Sequence, residues 1–333
     1  MKIIKPLDIK YDKKFPVISV VLSFFNEEAV IPELIDRLKK VFLKLKKDKK
    51  IRDYELIFIN DASTDESENL IIKEIKKNKN VTLINMSRNF GADECRVVGL
   101  EYAKGDAIVN MDTDLQDPPE VISQMIKLWQ NDEKTEIVYT TRIKREGEHP
   151  LKLLITKFGY RFINSISDIN LPVDSGDFKL ISKLACQHIL LLKEKKPYFR
   201  GLVSWVGFKQ TQLMYEREPR FDGRHNSKFP VLSKRVIYAY FDRAMISHSD
   251  APLKLTLFFG FLISCFSALY LIYLVFQRVS GEFIPGWPAL MAAITFLGGI
   301  QILMIGVIGL YIGNIFLETK KRPNHIVKEI IRK

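Results

Sequence analysis

The sequence predicts an α/β protein in which a mostly parallel sheet is followed by a membrane-spanning C-terminal part. Three observations carry this reading. Short apolar runs alternate with amphipathic stretches over the first 140 residues, polar residues gather where the apolar runs end, and charge becomes sparse after residue 255. The alternation is the βαβ rhythm of a parallel sheet with helices on both faces.

Taken in order, the strand-like pieces are VISVVLSFF (17–25), YELIFIN (54–60), VTLINM (81–86), DAIVNMD (106–112) and EIVYTT (136–141). Helical patterns lie between and after them, near 28–46, 66–77, 92–103 and 119–131. The basic run Lys39–Arg52 reads as a solvated helix end and loop. Sheets of this kind bind ligands beyond the carboxyl ends of their strands. Polar residues sit there: Asn26 and Glu27, then Asp61, Ser63 and Asp65, then Arg88 and Asn89, then Asp112 and Asp114.

The C-terminal part follows from hydropathy. Leu255–Phe276 holds 22 residues without a charge, about 33 Å of helix at ~1.5 Å per residue and enough for the ~30 Å hydrocarbon core. A second uncharged stretch runs from Phe283 to Leu317, where Pro285 and Pro288 confine the helix to about Pro288–Leu317. A buried hairpin of a soluble core is the alternative, and two runs of this length disfavour it. Lys234, Arg235, Arg243 and Lys254 precede the first run, and Lys320, Lys321 and Arg322 follow the second. The connecting loop offers Arg278 and Glu282, so positive-inside bias puts both chain ends and the N-terminal domain in the cytoplasm. Gly309 and Gly313 have GxxxG spacing, which admits close helix packing and a homo-oligomer.

Two further segments have helical apolar spacing beside basic residues: Leu151–Phe162, and Ile237–Met245 directly before the first apolar run. Each is either packed on the core or lying at the lipid headgroups. The expected organisation is a domain over 1–230, a juxtamembrane helix over 231–252, two transmembrane helices over 253–318 and a basic cytoplasmic tail over 319–333.

Composition bounds the rest. Length over ~150 gives about two domains. With 47% apolar and 27% charged residues the chain is too apolar for disorder and too charged for a wholly embedded carrier. Three cysteines at no metal spacing argue against a disulfide framework and a zinc site, and for a reducing compartment. Met1–Lys14 is polar and basic without an apolar core, so no signal peptide is expected. The net charge of +12 fits attraction to anionic headgroups, and no nucleic-acid-binding module appears.

The strand-end motifs narrow the chemistry. GxGxxG and GxxxxGK[ST] are both missing, so dinucleotide and P-loop readings lose ground. Carboxylates stand where those folds have glycines, and a carboxylate alone repels a phosphate-rich ligand. Asp112 and Asp114 share a face of an extended segment and can hold a hard divalent cation against a diphosphate. An acidic turn with an N-cap is the alternative. The pair ends an apolar strand and runs on through Leu115, Gln116, Asp117, Pro118 and Pro119, where a proline can begin the next helix.

At this point the chain resembles the inverting, GT-A-fold, family-two glycosyltransferases of the polyprenyl-phosphate branch, a group similar to dolichol-phosphate mannose synthases and bactoprenol glucosyltransferases. The motifs are FFNEE (24–28), NDASTD (60–65), SRNFGADE (87–94), MDTDLQDPPE (111–120), TRIKREGE (141–148), SGDFKL (175–180), FRGLVSWVGF (199–208) and YEREPRFDGRHNSKF (215–229), followed by the two apolar runs. Coverage is end to end and in family order.

The resemblance implies a GT-A (Rossmann-like) domain that transfers a sugar from a nucleoside diphosphate, more readily UDP-glucose or another UDP-hexose than a GDP-sugar. The acceptor would be polyprenyl (undecaprenyl) phosphate at the cytoplasmic face of the membrane. It implies that Asp61 accepts from the base, with Phe25, Asn26, Glu27, Ser63 and Arg88 framing base and ribose, and that Asp112, Asp114 and Gln116 hold Mg²⁺ or Mn²⁺ against the diphosphate. Arg142 and Arg145 would face phosphates, while Arg217, Arg220, Ser227 and Lys228 close over them. Asp177 is the position of the catalytic base or of an orienting group. A phosphate acceptor, with a second pKa of about 6, is already anionic at neutral pH and needs no strong base. The orienting role is therefore expected for Asp177. Departures from the pattern are Ala62 for glycine, Ala92 for lysine, Lys179 for arginine and Phe229 for tyrosine. No QxxRW motif is present, against a processive synthase. The alternatives are a transferase acting on a hydroxyl acceptor and a non-catalytic membrane scaffold.

Overall fold

The computed structural model describes residues 9–143, 175–195, 197–223, 258–263 and 286–333, with scattered positions elsewhere between 256 and 279. The chain divides into two compact units, one carrying the sheet with its last strand and the other the long C-terminal helix.

The first unit alternates as the pattern predicts: β1 (Val17–Phe24), α1 (Ile31–Lys47), β2 (Asp53–Asn60), α2 (Ser67–Lys77), β3 (Val81–Met86), α3 (Ala92–Tyr102), β4 (Ala107–Asp112), α4 (Val121–Asn131) and β5 (Ile137–Arg142). Then come β6 (Ser175–Ser182), α5 (Lys183–Leu190), α6 (Phe199–Trp205), β7 (Gln210–Tyr215) and, after the second unit, β8 (Val327–Arg332). The sheet order is β7-β5-β6-β4-β1-β2-β3-β8. Strands β4, β1, β2 and β3 are mutually parallel, β6 runs antiparallel between β4 and β5, and β8 pairs antiparallel with β3.

Both faces of the central strands are buried, which is why they read as unbroken apolar runs. On one face Val20, Leu22, Leu56 and Phe58 pack with α1, α2 and α4, and on the other Val21, Ile57, Ile59 and Ile84 pack with α3, α5 and α6. α1 shows how the sequence makes such a layer. Ile31, Leu34, Ile35, Leu38, Val41, Phe42 and Leu45 form its buried stripe, a proline opens it, Glu33 lies in its first turn and lysines close its last. α3 approaches β1 so closely that a Cβ on Gly99 would lie 2.1 Å from Val21 Cγ1.

The expected basic tail needs correction. Residues 327–332 are a sheet strand, with Ile331 set against Leu83 and Glu329 against Asn85 across the ladder. Val327 and Ile331 are half-buried on one face while Lys328, Ile330 and Arg332 on the other are exposed, as suits an edge strand.

In the second unit α7 spans Trp287–Thr319 with proline in its first turn, close to the expected helix. Its stretch Phe296–Thr319 is, among the described residues, the one helix long and apolar enough to cross a membrane. Leu290, Ile294, Ile302, Ile305, Ile312 and Phe316 are all exposed on it. The first apolar run is described at scattered positions, each helical, so its status as a span lies outside the described residues, as do the amphipathic segments at 151–162 and 237–245.

Candidate active site

The site is built at the carboxyl edge of the sheet, where β1, β2, β3 and β4 end and β6 begins. Three non-glycine residues there hold left-handed backbone: Asn26 (φ 59°), Ala62 (φ 60°) and Leu115 (φ 56°). Such conformations persist where surrounding contacts fix them. The Asn26 N–H donates to Ser63 Oγ (3.0 Å), Thr64 N–H to Asn26 Oδ1 (2.8 Å) and Glu27 N–H to Ser67 Oγ (2.9 Å), tying the loop after β1 to the loop after β2. Buried Asp61 accepts from Phe90 N–H (2.7 Å) and Gly91 N–H (3.0 Å), holding the turn that leads into α3. Phe25 is 47% exposed beside these loops, and the Arg88 guanidinium stacks on Phe90 at 3.9 Å.

β4 delivers Asp112, and Thr113 Oγ1 donates to Ser23 O (3.1 Å), which pins the following turn to β1. Asp114 Oδ1 accepts from Gln116 N–H at 3.1 Å, and Arg217 Nη2 stands 4.0 Å from Asp114 Oδ2. Burial pushes the Asp114 carboxyl up from the usual carboxylate range, and the neighbouring Asp112 charge adds to it. Asp117, next along, accepts a hydrogen bond from Tyr215 and is likewise raised by burial.

Whether these residues suit a divalent metal can be tested on their atoms. Asp112, Asp114 and Gln116 offer oxygen alone, as Mg²⁺ and Mn²⁺ prefer, and Gln116 Oε1 is buried without a hydrogen-bond partner. Among the described residues no three His, Cys, Asp or Glu side chains converge on a metal point. The set fits a cation that takes further ligands from a diphosphate, and does not form a closed protein cage.

Asp177, near the start of β6, lies in a buried ion cluster. Arg200 of α6 holds it with two parallel bonds, Nε to Oδ1 and Nη2 to Oδ2, both 2.7 Å. Arg96 of α3 places Nη2 2.9 Å from Asp112 Oδ1 and 3.4 Å from Asp177 Oδ2, with Nη1 2.8 Å from Asp93. One buried guanidinium thus joins the Asp112 carboxylate to Asp177. Burial works to raise the Asp177 pKa, but the Arg200 bonds and the Arg96 and Arg200 charges outweigh it and hold the carboxyl well below the usual range. Lys179 is fully buried, its Nζ has no hydrogen-bond partner, and burial brings it down to about 8 against the pull of Asp177.

The segment after β7 folds back onto these loops. Glu218 N–H donates to Gln116 O at 3.0 Å, Arg37 bridges Glu120 (2.6 Å) and Glu218 (2.9 Å), and Arg220 reaches Glu27 (2.6 Å) and Asp222 (2.8 Å). Arg142, at the end of β5, lies beside Tyr215 and Asp117.

Most residues singled out in the sequence therefore meet at one edge: Asn26, Glu27, Asp61 and Ser63 in the first group, Asp112, Asp114 and Gln116 in the second, and Asp177, Arg142, Arg217 and Arg220 around them. Arg145, Ser227 and Lys228 lie outside the described residues. Sequence reasoning missed Arg96 and passed over Arg200. A lone arginine among Cys95, Val97 and Val98 on a helix was the available signal for the first.

A mostly parallel sheet with acidic loops at its carboxyl edge and an antiparallel strand beside them defines a GT-A-type domain. The chain belongs to glycosyl transferase family 2, whose model matches residues 19–190. It is 40% identical over 312 residues to an uncharacterized glycosyltransferase, YkcC, of Bacillus subtilis (strain 168), covering 93% of each chain. It is 34% identical to the prophage bactoprenol glucosyl transferase homolog of Escherichia coli (strain K12), over 94% of this chain and 99% of that one. Among solved structures it is similar to glucosyl-3-phosphoglycerate synthase from Mycobacterium tuberculosis in complex with Mn²⁺ and UDP, at 21% identity and a TM-score of 0.45, covering 68% and 80% of the two chains. The protein is a glycosyltransferase.

Proposed function

We propose that the protein transfers a hexose from a UDP-sugar to polyprenyl phosphate at the cytoplasmic face of a membrane, with Mg²⁺ or Mn²⁺ at Asp112, Asp114 and Gln116. The observation that carries the reading is the join made by Arg96 between the Asp112 carboxylate and the Asp177–Arg200 pair. It supports a cation-binding group at Asp112 lying beside an acceptor-facing group at Asp177. The near-full-length likeness to a bactoprenol glucosyl transferase homolog supports a lipid phosphate as acceptor.

In this reading Phe25, Asn26, Glu27, Asp61, Ser63 and Arg88 hold the nucleotide. The metal, when bound, neutralises charge developing on the leaving diphosphate. Arg217 and Arg220, now resting on Asp114, Asp117, Glu27 and Asp222, turn their donors to the phosphates, and Arg142, Arg145, Ser227 and Lys228 complete that surface. Asp177 orients rather than abstracts a proton. A carboxylate held by two arginines is a weak base, which suits an acceptor phosphate already ionised at neutral pH and disfavours a sugar or lipid hydroxyl.

The membrane reading draws support from connectivity. β8 lies beyond α7 in the chain yet pairs with β3, which supports a reading in which the intervening residues leave and re-enter one side of a membrane by an even number of crossings. α7 supplies one crossing and the run 255–276 the other, with the sheet domain and both ends cytoplasmic.

The test is binding of UDP by the full chain in detergent. The reading expects micromolar affinity with Mn²⁺ or Mg²⁺ that falls at least tenfold with EDTA or with Asp114→Ala. Equal affinity with and without metal would overturn the assignment of the acidic loop.

A further inference from the structure

The strand β8, beyond the long apolar helix α7, does more than cover a sheet edge. Asn60, Asn85 and Glu329 lie side by side across β2, β3 and β8, in register along the ladders. Their side chains are joined in a row. Asn85 Nδ2 donates to Glu329 Oε1 (3.0 Å), and Asn60 Nδ2 donates to Asn85 Oδ1 (3.0 Å). Glu68 of α2 accepts from both amides, at 2.8 Å from Asn85 and 3.3 Å from Asn60. Asn60 Oδ1 then accepts the Ser63 N–H at 2.8 Å, and Ser63 Oγ accepts the Asn26 N–H at 3.0 Å. Asn60 and Asn85 are 2% and 3% exposed, so most of this row is shielded from water.

The row ends where the backbone is strained. Ala62 and Asn26, both left-handed, flank the Ser63 junction. A non-glycine residue in that region is strained by its Cβ, and neighbouring contacts must hold it there. Orientation of the two amides is forced: each –NH₂ faces a carboxylate or carbonyl oxygen, which leaves Asn60 Oδ1 directed at the Ser63 N–H. Glu329 and Glu68 fix the amide of Asn85, Asn85 fixes that of Asn60, and Asn60 fixes the loop.

We infer that Asn85 and Glu329 are positioning residues for the nucleotide loop 61–65, so that donor affinity depends on the C-terminal strand. This rests on the reading that the loop holds UDP. Neither residue touches the loop; each acts through Asn60.

The experiment compares Glu329→Ala, Glu329→Gln and Asn85→Ala in the full chain in detergent, reading UDP affinity with Mn²⁺ by calorimetry and amide hydrogen exchange across 61–67. A hydrogen bond to a charged partner contributes more than a neutral one at full burial, and less here, where the Glu329 side chain is 44% exposed. Glu329→Ala should weaken UDP about 3- to 10-fold and Asn85→Ala more. Glu329→Gln keeps the accepting oxygen and should stay within about twofold of the parent. Exchange at 61–67 should quicken in both alanine variants while that of β1 and β4 is unchanged. Unaltered UDP affinity and unaltered exchange at 61–67 in Glu329→Ala and Asn85→Ala would overturn the inference. So would an equal defect in Glu329→Gln, or a general rise in exchange that marks plain destabilisation. Should the parent fail to bind UDP·Mn²⁺, the donor reading falls, and the exchange measurement still decides whether β8 orders the loop.

Discussion

Replacing Asp177 by asparagine separates an orienting carboxylate from a proton-abstracting one. The side chain is 13% exposed and bound by Arg200 through two 2.7 Å contacts, with Arg96 at 3.4 Å. Removing one partner of a buried ion pair costs about 3–5 kcal/mol, because the remaining charge is left uncompensated. Arg200 keeps 29% of its surface in water and the amide retains one accepting oxygen, so the cost here should lie lower, about 2–3 kcal/mol. For a domain of this size that lowers the melting midpoint by about 4–12 °C. The sign with pH follows from the depressed carboxyl. Its stabilisation is fully present above the ordinary aspartate value and is lost as pH falls through the folded one, so the gap between parent and variant should shrink progressively below about pH 4. For catalysis, kcat should fall by no more than about 10², with an unshifted pH profile, as loss of positioning and not of a base. Thermal melts from pH 3 to 8 and kcat against pH on the same preparations provide the check. A kcat loss beyond ~10³ that rising pH restores, with an unchanged melting point, would refute the reasoning.

Asp114→Asn should abolish the metal dependence of UDP binding yet stabilise the metal-free protein, by on the order of 1 kcal/mol read from a rise in melting point, since it removes a carboxyl that burial and Asp112 disfavour. For the same reason metal affinity in the parent, titrated by calorimetry, should begin to weaken on acidification above the usual carboxylate range. Gly99→Ala should destabilise by about 1–3 kcal/mol or more in a denaturant melt, because the new Cβ meets Val21 Cγ1 at 2.1 Å and α3 must move off β1. Ala62→Gly should stabilise by about 0.5–1 kcal/mol, the relief of a left-handed alanine less the added chain entropy, read as a rise in melting point.

The central strands and their helices were legible because burial on both faces leaves unbroken apolar runs, and the boundaries of β1 to β4 fall within a residue or so of those runs. The acidic loop was legible because Asp112 and Asp114 end such a run. What the pattern hid was set by tertiary contact. β6 carries Lys179 at a fully buried position and Asp177 at one only 13% exposed, where alternation predicts apolar residues, and its strand character is masked by the ion cluster it serves. β7 and β8 are edge strands with polar faces, and the long apolar helix α7 separates β8 from its partner β3 in the chain. Arg96 looked like an ordinary helix cation, because its role depends on Asp112 and Asp177 arriving from two other strands.

The most direct test of the central claim is a donor panel. The full chain in detergent is given undecaprenyl phosphate, Mn²⁺ or Mg²⁺ and each UDP- or GDP-sugar in turn, and sugar is followed into the extracted lipid. The account predicts one UDP-hexose entering the lipid phase, abolished by EDTA and by Asp114→Ala. Metal-dependent UDP binding with no sugar reaching polyprenyl phosphate from any donor would contradict it.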